Sequence, residues 1–188
     1  MEFLPIIKED RNVYAGFWKR LGAGFIDFIV IISLVYGLAL ILGDSSKIII
    51  ITSCVVSSFA YAVYLVCFHY YFGATIGKMV VGVKVTNPDG SRIGLKQALL
   101  RSSIDLCFAV LFVAADMSAL SQVGASEYLV ANANLQKYYP SWFSNVELAM
   151  YIWSFGEFIT LLFNRRKRAI HDFIAGTVVI NKGLFSTR

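Results

Sequence analysis

Residues 21–42 read LGAGFIDFIVIISLVYGLALIL, with Asp27 as the one charged side chain. A bilayer core takes about 20 apolar residues in helix, so this run is long enough to cross it. Working outward, residues 48–71, 97–119 and 146–164 repeat the pattern. Lipid offers no partners to backbone amides, so spanning segments are helices or closed barrels, and runs of this length predict helices. The whole 188-residue chain agrees: 57% of its residues are hydrophobic, 15% are charged, and the mean hydropathy is +0.66. A soluble domain carries roughly 25% charged residues, so the composition excludes one, along with a disordered chain or a disulfide scaffold.

The net charge of +5 is distributed in segments beside the apolar runs. Of the 17 Lys and Arg, Lys8, Arg11, Lys19 and Arg20 precede the first run. Lys78, Lys84, Arg92, Lys96 and Arg101 lie between or just inside the second and third, and Arg165, Arg166, Lys167, Arg168, Lys182 and Arg188 follow the fourth. The other two connections hold Lys47 and Lys137 alone. The positive-inside rule places both termini in the cytoplasm. Positive charge so placed orients a membrane protein and meets anionic lipid headgroups, and a nucleic-acid partner is not expected. Residues 1–20, MEFLPIIKEDRNVYAGFWKR, are mixed and charged and do not read as a cleavable leader. Cys54, Cys67 and Cys107 lie within apolar runs and read as buried small hydrophobes. His69 and His171 have no ligand spacing, so neither a metal site nor a cofactor is expected.

The connections carry their own signals. Residues 43–47 read as a tight helical hairpin turn, and residues 121–144 as an outer loop containing Asn132, Asn134, Pro140 and Trp142, with room for a short interfacial helix. In the inner loop, residues 73–96, Val81, Val83 and Val85 alternate with Gly82 and Lys84 as a strand does. Asn87-Pro88-Asp89-Gly90 follows as a turn. Residues 177–180 form a second β-prone piece after a short amphipathic helix expected over residues 165–175 on the membrane surface, which Gly176 would end. The expected fold is an all-α, four-helix membrane bundle, one domain over residues 1–188, with a small cytoplasmic β-hairpin or sheet as a cap and a tail at 165–188.

Four ordered motifs resemble the RDD family of membrane proteins. Ala15-Gly16-Phe17-Trp18-Lys19-Arg20, followed by Asp27, matches its first helix, and Thr75-Ile76-Gly77-Lys78 with Gly82-Val83-Lys84-Val85 matches its middle segment, with Arg101 at the expected arginine. Arg168-Ala169-Ile170-His171-Asp172 and Ala175-Gly176-Thr177-Val178-Val179 match its ending. The resemblance implies that Arg20, Asp27 and Asp172 are the residues for which the family is named. It also implies a membrane protein, for whose relatives cation/proton antiport or other transport has been proposed. Asp105, Glu157 and the outer loop lie outside the pattern.

Ionisable groups within spans are costly and usually face an interior or water. Counted from the inner ends of their runs, Asp27, Asp105 and Glu157 lie eight or nine residues deep, about 12–14 Å at the rise of a helix. Tyr61 and Tyr64 fall near that depth. One reading makes the three carboxylates an ion- or proton-binding layer, with Arg20 and Arg101 as charge partners and His171-Asp172 as a gate. Arg101 and Asp105, four residues apart, would pair on one helix face. The other reading is a satisfied polar network that holds the helices together, in which Asp172 fixes the tail against Arg20 or Arg101. No nucleophile elbow, phosphate loop or dinucleotide fingerprint is present, so an enzyme is not expected. Two functions follow: a small transporter coupling cation or solute movement to protons, working as a homo-oligomer or with a partner, or a non-transporting scaffold, assembly or regulatory subunit. Either would sit in a bacterial inner membrane.

Overall fold

The computed structural model describes residues 3–8, 11–42, 47–130 and 135–184; the side chains of 39, 42, 47, 48, 50, 123–130, 135 and 136 are outside the description. Residues 43–46 of the turn expected at 43–47, together with Asn132, Asn134 and Arg188, lie outside the described residues, and Lys47 begins a helix. In chain order the elements are β1 (Ile7–Lys8), β2 (Arg11–Asn12), α1 (Phe17–Leu42), α2 (Lys47–Phe72), α3 (Ile76–Val80), β3 (Val83–Thr86), α4 (Leu95–Arg101), α5 (Ser103–Val130), α6 (Phe143–Phe163), α7 (Ile170–Ala175) and β4 (Val178–Asn181). Four of these helices hold stretches long and apolar enough to cross a membrane: Phe17–Leu38, Ile51–Phe72, Ser103–Gln122 and Phe143–Phe163. Their surfaces carry exposed Phe25, Phe28, Ile32, Ile152, Phe155 and Ile159. Apolar area of that extent is stable against acyl chains and not against water. Cys67 and Cys107 share those exposed surfaces, which corrects the expectation that all three cysteines are buried; Cys54 is half-buried. A small hydrophobe fits a lipid-facing position as well as a core.

Two boundaries differ from the hydropathy reading. The third apolar run is divided at Ser102 into α4 and α5. Helix α5 then continues to Val130, into residues read as loop. Ser121–Val130 loses the apolar density of a span yet keeps helix formers such as Gln122, Ala125, Glu127 and Leu129. A single 3-10 turn, Leu135–Tyr138, follows before α6.

The chain forms two compact units. The first comprises Met1–Val30, Val63–Ser103 and Ile152–Arg188. Within it β3 and β4 pair antiparallel, Val83 opposite Asn181 and Val85 opposite Val179. The segment before α1 lies along the other edge of β4, with Tyr14 bridged to Ile180 and Ala15 N–H donating to Val179 O at 2.9 Å. Alternation along β4 sends Val178 and Ile180 to one face, with Val13, Tyr14 and Leu184, and Val179 to the other, with Ala15, Val83, Val85 and Ile93. Both faces are therefore dry, and each buried Val contributes about 1.5–3 kcal/mol. Gly90 (φ 89°) completes the expected turn, and Gly176 (φ 67°) stops α7 in the left-handed conformation that glycine adopts without a Cβ clash. A short pairing of β1 with β2 lies outside the sequence expectation.

The second unit comprises Ile31–Ala62 and Ile104–Tyr151. Its buried Ala119 and Leu120 pack with Ile51, Cys54, Met117, Tyr138 and Tyr139. Tyr139 stacks on Phe143 at 4.4 Å between ring centroids and donates its hydroxyl to Asp116 at 2.9 Å.

Candidate functional site

The first unit gathers almost all of the candidate residues. Asp27, on α1, is 3% exposed. Its Oδ1 accepts from Tyr64 O–H at 2.6 Å and from Gly77 N–H at 2.7 Å, and its Oδ2 accepts from Thr75 O–H at 2.6 Å. Tyr64 in turn accepts from Ile76 N–H at 2.8 Å, and Thr75 Oγ1 caps α3 by accepting from Lys78 N–H. One carboxylate thus ties the start of α3 to α1 and α2. The approach needs a glycine: a Cβ on residue 77 would stand 2.1 Å from Ala23 O and 2.9 Å from Asp27 Cγ.

Asp172, on α7, is fully buried and solves the same problem differently. Arg20 Nη1 donates to Oδ2 at 2.5 Å, Arg101 Nη1 donates to Oδ1, and Ala169 N–H donates to Oδ2 at 2.9 Å. Arg101 also reaches Thr177 Oγ1, and Arg20 reaches Lys167 O. Arg168 closes the far side with Nη2 on Asp172 O and Nε on Thr177 O. This one side chain therefore ties α7 to α1 and α4. Burial would raise its pKa, but the two guanidiniums outweigh burial and hold the carboxyl well below the usual carboxylate range.

Glu157, on α6, belongs to a third arrangement. It accepts from His171 N–H at 2.9 Å, and its Oε2 meets His171 Nδ1. Burial and Arg101 push the half-buried imidazole below its usual range, against the opposing pull of Asp172 and Glu157. Asp27 has a donor set of its own, whereas His171 lies between Glu157 and Asp172, its Nε2 3.6 Å from Asp172 Oδ1.

Asp105 falls in the second unit, on α5 beyond Ser102. Its four-residue spacing from Arg101 does not run along one helix, because α4 ends at Arg101 and Ser102 adopts φ −100°, ψ 8°. Arg101 Nη1 is committed to Asp172 and Thr177. Residue counting along an apolar run assumes an unbroken helix, and that assumption fails here.

One contact lay outside the sequence reading. Lys78 Nζ is 2.8 Å from His69 Nε2, and His69 is 2% exposed. The nine-residue separation carries no periodic signal, because Gly73 (φ 70°) turns the chain between the two residues. Among the described residues no cluster of three or more His, Cys, Asp or Glu is placed to hold a metal ion.

The motifs that build these cradles run from Ala15 to Val179, and the model of the RDD family matches residues 14–176. The chain belongs to the RDD family. Arg20, Asp27 and Asp172 lie within the matched residues and are the ones described above as buried and bonded. Another protein similar to this RDD chain is the uncharacterized YckC of Bacillus subtilis (strain 168), 36% identical over 95 residues. That match covers 48% of this chain and 59% of YckC, so the chain spans somewhat over half the length of the relative it matches. No solved structure matches the chain.

Proposed function

We propose that this RDD-family membrane protein acts as a non-transporting assembly or regulatory subunit whose inner-side polar residues form a fixed scaffold. One observation carries the reading. Each oxygen of the Asp27 and Asp172 carboxylates is engaged by a fixed hydroxyl, amide or guanidinium of the chain itself. A site that takes up and releases an ion needs oxygens it can lend, and each of these two carboxylates already accepts three hydrogen bonds from the chain. In this reading both termini lie in the cytoplasm of a bacterial cell. The basic residues Lys19, Arg165, Arg166 and Lys167 rest on anionic headgroups. The β3–β4 layer and the tail offer the contact surface for a neighbouring membrane protein or a second copy.

A second reading, proton-coupled cation or solute transport, draws on Glu157 and His171. That carboxylate meets an imidazole instead of an arginine, and both side chains keep some exposure, 13% and 28%. Reconstitution into vesicles separates the two readings. Under an imposed pH gradient, Na⁺ and K⁺ flux through the purified protein should equal that of empty vesicles. Flux above that level that is lost in Glu157→Gln overturns the scaffold reading in favour of transport.

A further inference from the structure

The Lys78–His69 contact is used by neither reading. Two nitrogens 2.8 Å apart need one hydrogen between them. An ammonium can supply it only if Nε2 is bare, which puts the imidazole proton on Nδ1. A neutral amine can donate to a bare Nε2, which keeps a buried Nδ1–H with no acceptor, or accept from Nε2–H, which leaves Nδ1 bare; the second arrangement avoids the orphan donor. If both groups were cationic, two donors would collide. The contact therefore tolerates one excess proton at most. His69 Nδ1 is buried and makes no hydrogen bond, so either state of that atom is met without rearranging a partner.

The surroundings set the balance between the two states. Arg20 and Asp27 face the pair from α1, Arg101 from α4, and His171 and Asp172 from α7. The Asp27 oxygens are taken by Tyr64, Thr75 and Gly77, and the Asp172 oxygens by Arg20, Arg101 and Ala169. Among the described residues no carboxylate forms a salt bridge to Lys78. An amine held at a buried imidazole, with two guanidiniums among its charged neighbours, keeps its proton weakly.

We propose that Lys78 and His69 together form a proton-binding site whose occupancy is read out as the tautomer of His69. On release, one proton leaves the pair for bulk solvent, the hydrogen between the nitrogens ends on Nε2, and Nδ1 is left bare. An ammonium facing an Nδ1–H imidazole becomes an amine facing an Nε2–H imidazole, with the net loss of one proton. Burial, followed by the nearby Arg101, pushes Lys78 from 10.5 to about 7, so the exchange falls where cells hold their pH. The ligand is the proton alone, and Lys78 on α3 sits one residue from Gly77, which docks α3 onto Asp27.

The test is nuclear magnetic resonance of the full chain in lipid nanodiscs, with ¹⁵N-histidine and ¹³C-lysine, from about pH 5.5 to about pH 9.5. The expected result is one shared midpoint near neutrality, seen at Lys78 Cε and as an exchange of protonated and bare signatures between the two His69 ring nitrogens. In Lys78→Arg, which keeps a cationic donor that does not titrate, His69 should stay in the Nδ1–H form throughout. Three results overturn the proposal: a Lys78 Cε signal flat to about pH 9.5, a His69 that becomes imidazolium with both nitrogens protonated, or a tautomer exchange that persists in Lys78→Arg.

Discussion

Asp27 and Asp172 are equally hidden and differently held. Asp27 rests on neutral dipoles: two hydroxyls and a backbone amide. Asp172 rests on two full positive charges and one amide. The contrast teaches which partner is the hostage. Removing the Asp27 charge leaves hydroxyls, which can turn and accept where they had donated. Removing the Asp172 charge leaves two guanidiniums that are themselves 9% exposed or less, without the carboxylate they both bond. An uncompensated buried charge is among the costliest defects a fold can carry.

The largest effect should therefore follow Asp172→Asn. Breaking a buried ion pair from one side costs about 3–5 kcal/mol, and thermal unfolding in detergent micelles should register a loss of that size. Asp27→Asn in the same assay should lose markedly less, and equal losses would erase the contrast. Acid sharpens the same point. The folded pKa of Asp172 lies well below its unfolded value, so its stabilisation is complete above the unfolded value of about 3.9 and fades as pH falls through the folded one. The wild-type stability curve should drop in that acid range, and Asp172→Asn should flatten this part of the drop.

Gly77→Ala attacks the Asp27 side through shape instead of charge. The new methyl would overlap Ala23 O, and forcing atoms into a packed contact costs about 1–3 kcal/mol. Hydrogen exchange should show α3 opening faster while α7 keeps its protection. Tyr64→Phe is the mildest change. It deletes one donor to Asp27 and the acceptor of Ile76 N–H, and about 1–2 kcal/mol is expected from thermal unfolding.

The parts of this picture that were legible in the sequence are those written in local pattern. Apolar length gave the four spans, alternation of Val83 and Val85 gave β3, and Gly176 gave the end of α7. Segment order with the family motifs singled out Arg20, Arg101, Asp27 and Asp172. Other features were hidden for physical reasons. A shared depth for Asp27, Asp105 and Glu157 was inferred by counting residues. The count to Asp105 crosses the boundary between α4 and α5 at Ser102, and depth does not reveal which donors surround a carboxylate. The Lys78–His69 contact depends on the turn at Gly73, so neither helical nor strand periodicity could disclose it. The extension of α5 to Val130 was masked because hydropathy reports lipid contact and not helix.

That Asp172 locks α7 to α1 and α4 through charge is open to a direct measurement: a double-mutant cycle of Arg20→Gln and Asp172→Asn, read by unfolding free energy in micelles. The pairing predicts a double variant less damaged than the two single losses summed, with a coupling of about 2–3 kcal/mol. Additivity within about 0.5 kcal/mol would mean that Arg20 and Asp172 do not depend on one another, contradicting the account.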